Sequence, residues 1–555
     1  MLNCILLIMI SKQGTKPIRW KIITASHRER AWALCLAFSF FFFQFLGMYL
    51  DYNLTIPFIQ VLLSAACALI PALVCAELLL RANTFICSRS EERQLEFLKK
   101  DKYVFLITMG IIFLCWIPFF LAFYPGIMAY DVKDQIFQTA GSYITDHPLI
   151  HTLILQGFIR LGQEVLHNTN RGISFYTLIQ MLITSAAFSW MLLLLYRAKV
   201  HKVIRIILLV FACIFPVWPI LAMSATKDII FADAFLLCAV CAAYWCLDHS
   251  LAAKPRFLVL FGCSLWMACM FRTGSYVIGG VTLVLGIIVF RGRSRIRVVI
   301  TCAISMLAAV GASALLTSAT QATTLKSNEL ISVPLQQVGM AFNSHKEELT
   351  DEERETVYSL VQFIDNYDPH TADPIKDYHI NVQDDERFWN IYMDLMKRYP
   401  GDYLTAWLNN TMGMWYIWDT SSTRIYGSWV WWDGGVGYLL TDMHSEIQEL
   451  EIHRNSQLPG LMQMCLDLVN NNSFLNIPVF RILFSLSFYF WLAMLAFTLA
   501  IINKRRNSLL FFLFTACYIA GLFFCPCVLV RYCFPFIICI PVMFTVAFRK
   551  GLPRR

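Results

Sequence analysis

Long apolar runs alternate with short polar stretches along most of this chain. A membrane-spanning helix needs about 20 mostly apolar residues, so these runs predict about 12 transmembrane helices and an all-α polytopic membrane protein. The runs at 257–271 and 275–290 are short, and they fit tilted, kinked or partly re-entrant segments. The predicted spans are 31–50, 56–80, 103–123, 174–196, 206–223, 229–247, 257–271, 275–290, 298–316, 479–502, 508–525 and 529–548.

One hydrophilic region, residues 317–478, interrupts this pattern before the last three predicted spans. Thr350 and Glu353 within it have the spacing of a capping box, which predicts the start of an amphipathic helix. Two stretches, 401–419 and 426–435, are rich in Trp and Tyr, and such rings favour the membrane–water boundary. We therefore predict a mainly helical soluble domain that rests on the bilayer surface. Aromatic stacking on a sugar is the alternative use of these rings.

The composition agrees with a membrane protein. Of the 555 residues, 58% are hydrophobic and only 15% are charged, whereas soluble domains are about one-quarter charged. The 19 cysteines lie mostly inside apolar runs, where they suit small buried hydrophobes better than a metal or redox site.

The positive charges are unevenly distributed. Seven segments between spans or at the chain ends contain 29 of the 45 Lys and Arg residues, and the positive-inside rule places them in the cytoplasm. Region 317–478 then lies outside and is acidic, with 23 Asp and Glu residues against 9 Lys and Arg residues. This distribution indicates topology and gives no support to nucleic-acid binding. The seven segments are 1–30, 81–102, 197–205, 248–256, 291–297, 503–507 and 549–555.

The predicted organisation is that of a multi-pass cell-membrane protein with both termini in the cytoplasm. A cytoplasmic N-terminus precedes a transmembrane module, which carries one large exterior loop. An exterior domain, three C-terminal spans and a cytoplasmic tail follow. These parts are, in order, 1–30, 31–316 with loop 124–173, 317–478, 479–548 and 549–555.

The stretch FYPGIMAYDVKDQIFQTAGSYITDHPLIHT, residues 123–152, concentrates polar residues directly after the third predicted span. The predicted topology places it outside. Three cationic sites beside span ends fall on the same face, namely Lys227 next to Asp228, Arg272 and Arg531. Ionisable groups at such depths usually line a cavity, although Lys and Arg can also extend to the lipid headgroups. We therefore expect the polar stretch and the cations to share a site.

Carboxylates and cations at a membrane boundary suit transfer from a lipid-linked phosphate donor. Lys and Arg hold the phosphate and stabilise the leaving group, while a carboxylate takes the proton of an acceptor hydroxyl or amine. Asp131 suits the base role because the Pro-Gly pair at 125–126 ends the helix just above the membrane. If 131–138 is helical, Asp134 lies on the same face. Solvation or helix capping is the alternative interpretation of each carboxylate.

His147 and His151 are four residues apart, a spacing that suits a metal pair on a helix. Asp146 can cap that helix and Pro148 can occupy its first turn. No third ligand stands at a diagnostic spacing in the sequence. A structural cap or a hydrogen bond to substrate is therefore favoured over a metal site.

The order of these motifs resembles the GT-C superfamily of integral-membrane glycosyltransferases, which use polyprenyl-phosphate-linked sugars. The shared features are an Asp-bearing first exterior loop, a Lys-Asp pair at a later exterior turn, a bordering Arg, a late exterior domain and a terminal RYxxP. The loop at 124–152 also resembles a bacterial family of uncharacterised membrane proteins with a YPG…D…Q…G…HP pattern. Further matches to that family are SATKD at 224–228, SVPLQQVGMAF at 332–342 and RYCFP at 531–535.

The resemblance implies an enzyme in which Asp131 is catalytic. Asp131 is followed by Val132 where the superfamily often has an acidic pair, so whether Asp134 shares the role stays open. The resemblance settles no cofactor, because metal dependence varies within the superfamily. The implied partners are a lipid-linked sugar donor, an envelope glycan, lipid or protein acceptor, and membrane lipids. The expected substrate-binding residues are Lys227, Asp228, Arg272, Arg531, His147, Tyr130, Gln135 and Gln336.

The expected function is therefore transfer of a sugar from a polyprenyl-phosphate carrier to a cell-envelope acceptor outside the membrane. A transporter or flippase of lipid-linked saccharides is the main alternative, and Asp233, about one turn inside its predicted span, fits it better. A non-catalytic envelope scaffold ranks last, because twelve spans exceed what an anchor requires.

Overall fold

The structure, a computed structural model, confirms an all-α protein over the residues it describes. These residues form helices joined by turns, and they contain three isolated β-bridges. The described ranges are 20–53, 55–89, 95–128, 131–138, 142–272, 274–323, 331–376, 382–418, 445–471, 477–505 and 508–549.

Twelve labelled helices precede the hydrophilic region. The N-terminal side also has a single turn at Lys21–Thr24, a π-helical turn at Leu161–Val165 that extends α5, and a 3-10 turn at His249–Ala253. The labelled helices are α1 (His27–Leu50), α2 (Phe58–Arg89), α3 (Asp101–Ala122), α4 (Val132–Ile136), α5 (Leu149–Arg160), α6 (Thr169–Arg197), α7 (Lys202–Ile214), α8 (Val217–Ala222), α9 (Lys227–Leu247), α10 (Pro255–Phe271), α11 (Ser275–Val289) and α12 (Gly292–Thr320).

The second half of the chain begins with a helical insertion, which we define as residues 331–376 and 382–418. Its helices are α13 (Ser332–His345), α14 (Asp351–Leu360), α15 (Glu386–Arg398) and α16 (Pro400–Trp415). The remaining helices are α17 (Pro459–Asn471), α18 (Pro478–Leu483), α19 (Leu486–Ile502), α20 (Leu509–Leu522), α21 (Val530–Ile537) and α22 (Ile540–Phe548).

Seven helical stretches in the described part of the chain are long and apolar enough to cross a membrane. Four shorter apolar helices match the predicted spans at 257–271, 275–290, 479–502 and 508–525. In the interval 206–223 the chain forms α7 and α8 instead of one continuous helix, because Pro216 has no N–H to donate. The seven stretches are His27–Leu50, Phe58–Ser88, Asp101–Ala122, Thr169–Arg197, Lys227–Leu247, Gly292–Thr320 and Val530–Phe548.

Helix α9 forms the centre of the bundle. Its apolar window is 94% buried, whereas the windows of α2 and α3 are each 17% buried. Phe235 of α9 stacks on Phe514 of α20 with ring centroids 4.8 Å apart. The peripheral helices expose large apolar side chains such as Ile70, which is 75% exposed. An exposed apolar surface of this kind suits contact with lipid tails.

The insertion has a core of its own, formed by residues such as Val357, Phe388 and Leu395. The predicted capping box is confirmed at the start of α14. The Thr350 hydroxyl accepts from the Glu353 N–H at 3.2 Å, and the Glu353 carboxylate accepts from the Thr350 N–H at 2.9 Å. These two bonds satisfy N–H groups that have no partner inside the helix.

The aromatic residues of α16 pack inside the protein, which corrects the prediction that this stretch rests on the bilayer surface. Tyr403 and Trp415 are 3% and 2% exposed. Trp407 donates through Nε1 to the carbonyl of Phe523 at 3.0 Å, and Gln44 of α1 donates to the carbonyl of Trp415 at 2.7 Å. These rings therefore attach the insertion to the helical bundle. The second aromatic stretch, 426–435, lies outside the described residues.

Candidate functional site

Four segments that are distant in sequence meet at one end of the helical bundle. Asp131 precedes α4, Lys227 and Asp228 begin α9, Arg272 follows α10, and Arg531 lies in the first turn of α21. We call these five residues the charge cluster. Each one stands at a helix end, so the packing of the helices decides how close they come.

A short backbone bridge holds Asp131 beside Lys227. Gly126 has a φ of 143°, a conformation that suits glycine, and it turns the chain after α3. Ile127 then forms a parallel bridge with Ser224. The Ile127 N–H donates to the carbonyl before Ser224 at 3.1 Å, and the N–H after Ser224 donates to the Ile127 carbonyl at 2.9 Å. The segments that lead to the two charged residues are thus fixed side by side.

The charge cluster is an alternating chain of cations and carboxylates. Asp131 Oδ2 lies 2.8 Å from Lys227 Nζ and 3.2 Å from Arg531 Nη1. The same Arg531 nitrogen lies 3.5 Å from Asp228 Oδ2, and Arg272 Nη1 donates to Asp228 Oδ1 at 3.2 Å. The Asp228 and Arg531 side chains are 3% and 8% exposed. Three cations face two carboxylates, so the cluster carries a net charge of +1.

Aromatic rings surround the two guanidinium groups. The Arg272 guanidinium lies 4.8 Å from the ring centroid of Tyr532 and 5.5 Å from that of Phe231. The Arg531 guanidinium lies 5.0 Å from the Tyr532 ring. Cation–π contacts of this kind stabilise a desolvated cation without neutralising it. The arginines therefore keep their full charge for an anion.

His147 joins the cluster through Lys227. Its Nδ1 accepts from Lys227 Nζ at 2.7 Å and lies 3.8 Å from Asp131 Oδ2. Burial and the Lys227 ammonium lower the pKa of His147, against the opposing effect of the Asp131 carboxylate. In a neutral ring, Nδ1 can accept a hydrogen bond from the Lys227 ammonium, as this contact requires.

Asp131 is ionised and held by cations. Burial raises the pKa of its carboxyl, but the charges of Arg531 and Lys227 outweigh burial and hold this pKa well below its usual range. In this arrangement the carboxylate is a weak base. An anion that drew Lys227 and Arg531 away would make Asp131 more basic.

A buried chain of hydrogen bonds positions the Asp131 segment against the Lys227 segment. Gln180 donates to the carbonyls of Ala222 and Ser224 at 2.9 and 2.6 Å. The Tyr176 hydroxyl donates to the Gln180 side-chain oxygen at 2.6 Å. The same hydroxyl oxygen lies 3.0 Å from His151 Nε2. The chain thus runs from α6 to the segment just before Lys227.

The other ring nitrogen of His151 completes the link to α4. His151 Nδ1 lies 3.0 Å from the side-chain oxygen Oε1 of Gln135. Burial lowers the pKa of His151 to about 3, with a further contribution from the Lys227 charge. The neutral ring carries one N–H, which can donate either to Gln135 Oε1 from Nδ1 or to the Tyr176 hydroxyl oxygen from Nε2. Both nitrogens of His151 are therefore used within this network, and His151 does not converge with His147 on a common ligand.

A cavity of about 1170 Å³ opens above the charge cluster. Its charged wall includes the whole cluster together with Asp134 and His147. Another part of its lining comes from α10, α11 and α12 and includes Met270, Phe271 and Leu316. Many ligand sites have volumes of about 300–1000 Å³, so this cavity can hold a large ligand. The lining thus combines charged and apolar side chains, which suits a ligand with an anionic head and an apolar tail.

The structure brings most of the predicted site residues to this cavity. Asp131, Asp134, Lys227, Asp228, Arg272, Arg531 and His147 line it. Gln135 lies behind the cavity in the hydrogen-bond network, 1% exposed. Gln336 is buried in the insertion, where it donates to the Asp368 carbonyl at 2.8 Å. Tyr130 lies outside the described residues. The roles assigned to these side chains remain predictions.

Several residues that line the cavity were not predicted from the sequence. Tyr532 follows Arg531 directly, so the RYxxP motif could have indicated it. Asp373 and Lys376 of the insertion line the cavity as well, but nothing in the local sequence separates them from other charged residues of an acidic region. In the described part of the chain, no group of three or more His, Cys, Asp and Glu residues could hold a metal ion.

The chain belongs to a family of unknown function, DUF6020, whose pattern matches residues 137–552. The match covers about three-quarters of the chain, and it includes His147, Lys227, Arg272 and Arg531. Asp131 lies six residues before the matched range. Comparison with curated proteins and with solved structures gave no match.

Proposed function

We propose that this DUF6020 member is a glycosyltransferase. In this proposal it moves a sugar from a polyprenyl-phosphate carrier to a cell-envelope acceptor on the exterior face of the membrane. The chain would have about 12 spans, with the N- and C-termini in the cytoplasm and the cavity outside. The observation that carries the proposal is the cavity, whose lining combines the charge cluster with apolar side chains.

The charge of the cluster supports a lipid phosphate as the ligand. Three cations lie together in the cluster, an arrangement that suits the phosphodiester group between a sugar and a lipid. Arg272 and Arg531 can each bind phosphate oxygens through two donors, and Lys227 adds a point charge. Buried guanidinium groups interact with such an anion more strongly than surface groups do, because water screens them less.

The apolar part of the lining supports a lipid tail on the same ligand. Met270, Phe271 and Leu316 lie on the cavity beside the charged groups. Helix α12 borders the cavity, and it also exposes Leu307 and Leu315, each 70% accessible, on its outer surface. A lipid could therefore pass from the surface of α12 toward the charge cluster.

The reaction would balance as follows. The acceptor oxygen or nitrogen attacks the anomeric carbon, the bond from that carbon to the phosphate oxygen breaks, and the polyprenyl phosphate leaves with the electron pair. Lys227, Arg272 and Arg531 stabilise the charge on the leaving phosphate. Asp131 takes the acceptor proton. Donor binding draws Lys227 and Arg531 toward the phosphate, so Asp131 becomes basic only when the donor is present.

A transporter of lipid-linked saccharides is the second candidate, because of Asp233. A carboxyl group inside a span is a feature of many transporters. Asp233 is 1% exposed, accepts from the Thr184 hydroxyl at 2.7 Å, and lies away from the residues that line the cavity. Its position in the α6–α9 interface fits a packing role. The enzyme is therefore the better-supported proposal.

The test is sugar transfer by an Asp131→Asn variant, measured with membranes and a labelled polyprenyl-phosphate sugar. The proposal expects transfer to be abolished while expression and membrane insertion stay normal. Asp365→Asn, at an exposed position of the insertion, is the matched control and should transfer normally. Normal activity of Asp131→Asn would refute the assignment. A deletion strain should accumulate the donor lipid, whereas loss of saccharide export without accumulation would favour the transporter.

A further inference from the structure

Tyr532 contacts both guanidinium groups of the charge cluster and lines the same cavity. It lies in the first turn of α21, directly after Arg531. Its ring centroid is 4.8 Å from the Arg272 guanidinium and 5.0 Å from the Arg531 guanidinium. These cation–π contacts use the ring and leave the hydroxyl group of Tyr532 without an assigned role.

The backbone of Tyr532 is fixed by two hydrogen bonds. Its N–H donates to the Leu529 carbonyl at 3.1 Å, where α21 begins. Its carbonyl accepts from the hydroxyl of Tyr518 in α20 at 2.7 Å. Tyr518 is 6% exposed, and its own ring centroid lies 6.0 Å from the Arg272 guanidinium. The packing of α20 against α21 therefore holds the Tyr532 side chain beside the two arginines.

The hydroxyl of Tyr532 is a hydrogen-bond acceptor in its contact with Arg531. Its oxygen lies 3.3 Å from Arg531 Nη2. Arginine has N–H donors and no acceptor, so this contact cannot use the hydrogen of the hydroxyl. Among the residues that the structure describes, none accepts that hydrogen. A residue of the cavity lining therefore retains one O–H donor.

Other tyrosines near the exterior end of the bundle donate their hydroxyl hydrogen inside the protein. Tyr143 donates to the side-chain oxygen of Gln156 at 2.7 Å, and Tyr176 donates to that of Gln180 at 2.6 Å. A buried tyrosine usually finds such a partner, because an unused O–H donor costs free energy away from water. Tyr532 is half-buried and has no such acceptor in the described part of the chain. Its hydroxyl is therefore suited to donate to a molecule in the cavity.

An anion that the two arginines hold lies within reach of this hydroxyl. The hydroxyl oxygen and Arg531 Nη2 are 3.3 Å apart, so one ligand oxygen can contact both groups. The hydroxyl adds a directed hydrogen bond without adding a charge. Water can accept its hydrogen, but a phosphate oxygen accepts it more strongly, because hydrogen bonds to ionised groups are stronger. The surroundings of the hydroxyl therefore favour an anion.

We propose that Tyr532 is a phosphate-binding residue, whose O–H donates a hydrogen bond to an oxygen of the phosphate that the charge cluster holds. Tyr532 keeps its proton throughout the transfer. Negative charge on the phosphate grows as the polyprenyl phosphate leaves, so this hydrogen bond strengthens along the reaction. This role deepens the proposed function and rests on it for the identity of the ligand, whereas phosphate binding can be measured without sugar transfer.

The first experiment is calorimetric titration of the purified full chain with orthophosphate. Tyr532→Phe keeps the ring beside the guanidinium groups, and it should weaken orthophosphate binding about tenfold, because one hydrogen bond to an anion is lost. Tyr392→Phe is the matched control. It removes a hydroxyl of the insertion that donates to Gln337 Oε1 at 2.9 Å, and it should leave the affinity unchanged. Equal affinities in the native protein and Tyr532→Phe, or no orthophosphate binding by the native protein, would overturn the inference.

Tyr532→3-fluorotyrosine separates the two uses of the hydroxyl, and it provides the test if Tyr532→Phe fails to fold. The fluorinated phenol is more acidic, so it is a stronger donor and a weaker acceptor at a pH where it stays protonated. Donation to phosphate predicts tighter orthophosphate binding in this variant. A role confined to accepting from Arg531 predicts weaker binding. Weaker or unchanged binding would therefore contradict the proposed role.

Undecaprenyl phosphate then identifies the source of the phosphate. If the phosphate belongs to a lipid, the native protein should prefer undecaprenyl phosphate to orthophosphate, and Tyr532→Phe should weaken the binding of both by the same factor. A preference for orthophosphate would assign the site to a soluble phosphate compound. Weaker binding by Tyr532→Phe together with normal transfer by Asp131→Asn would support the phosphate contact and refute the proposed function. Unchanged binding by Tyr532→Phe together with abolished transfer by Asp131→Asn would overturn the role of Tyr532 alone.

Discussion

Acidification should destabilise this protein through His151. The pKa of His151 is about 3 in the folded protein, and an unfolded histidine has a pKa of about 6.5. Between these values the unfolded state binds a proton that the folded state does not, so stability falls as the pH falls. At pH 5.0 the loss from this one group is about 2 kcal/mol, and at pH 3 it is about 4 kcal/mol.

The structural cause is the use of both ring nitrogens inside a buried network. The ring lies between the Tyr176 hydroxyl and the Gln135 amide, each 3.0 Å away. His151 itself is 0% exposed, so a charge on its ring has no water around it. Lys227 adds electrostatic repulsion. Protonation is therefore deferred until the protein unfolds.

The assay compares unfolding of the native protein and of His151→Gln at pH 7.5 and pH 5.0, by titration with denaturing detergent. The glutamine can donate and accept hydrogen bonds but does not titrate in this range. The other titratable groups change the free energy of unfolding of both proteins equally. The native protein should therefore lose about 2 kcal/mol more stability than the variant. Equal losses in the two proteins would show that His151 is already charged or solvated in the folded state.

Three further predictions concern packing and charge. Asp228→Asn should destabilise the protein by about 3 kcal/mol because it removes the buried carboxylate that contacts both Arg272 and Arg531, and added phosphate should restore more stability to the variant than to the native protein. An unchanged unfolding midpoint would contradict this. Gly172→Ala should cost about 3 kcal/mol or more, because a Cβ atom would lie 2.2 Å from the Phe158 carbonyl oxygen. Gly157→Ala, with open space around its Cβ position, is the control and should be neutral or stabilising by up to about 1 kcal/mol. Gly339→Ala would place a Cβ atom 2.6 Å from a tyrosine ring of the insertion and should cost about 1–3 kcal/mol in thermal or detergent unfolding; a neutral result would show that this ring can move.

The helices could be predicted well where hydrophobicity alone decides. A run of about 20 apolar residues forms a helix in lipid because every backbone group must find its partner inside the segment. The predicted runs at 31–50 and 229–247 correspond to α1 and α9. The helices in the interval 206–223 were harder to predict, because Pro216 interrupts a run whose average hydropathy stays high. The aromatic stretch at 401–419 was misassigned, because Trp and Tyr suit buried docking surfaces as well as membrane boundaries.

The charge cluster could be predicted in part. Arg272 and Arg531 each stand alone beside an apolar run, and an isolated charge at such a position indicates a cavity. Gln336 was expected to bind substrate, but its side chain is buried inside the insertion. A sequence motif does not show which way a side chain points. Lys376 carried no signal, since the local sequence does not show that it lines the cavity.

The sequence by itself determined that this is a helical protein with membrane-length spans, and it indicated which polar residues stand at the ends of those spans. These features follow from local hydrophobicity and charge, which act on each segment separately. Only the tertiary structure decided that Arg531 bridges Asp131 and Asp228, that His151 is fully buried, and that Lys376 of the insertion lines the same cavity. Contacts between residues so far apart depend on how helices and insertion pack together, and no local pattern records that packing.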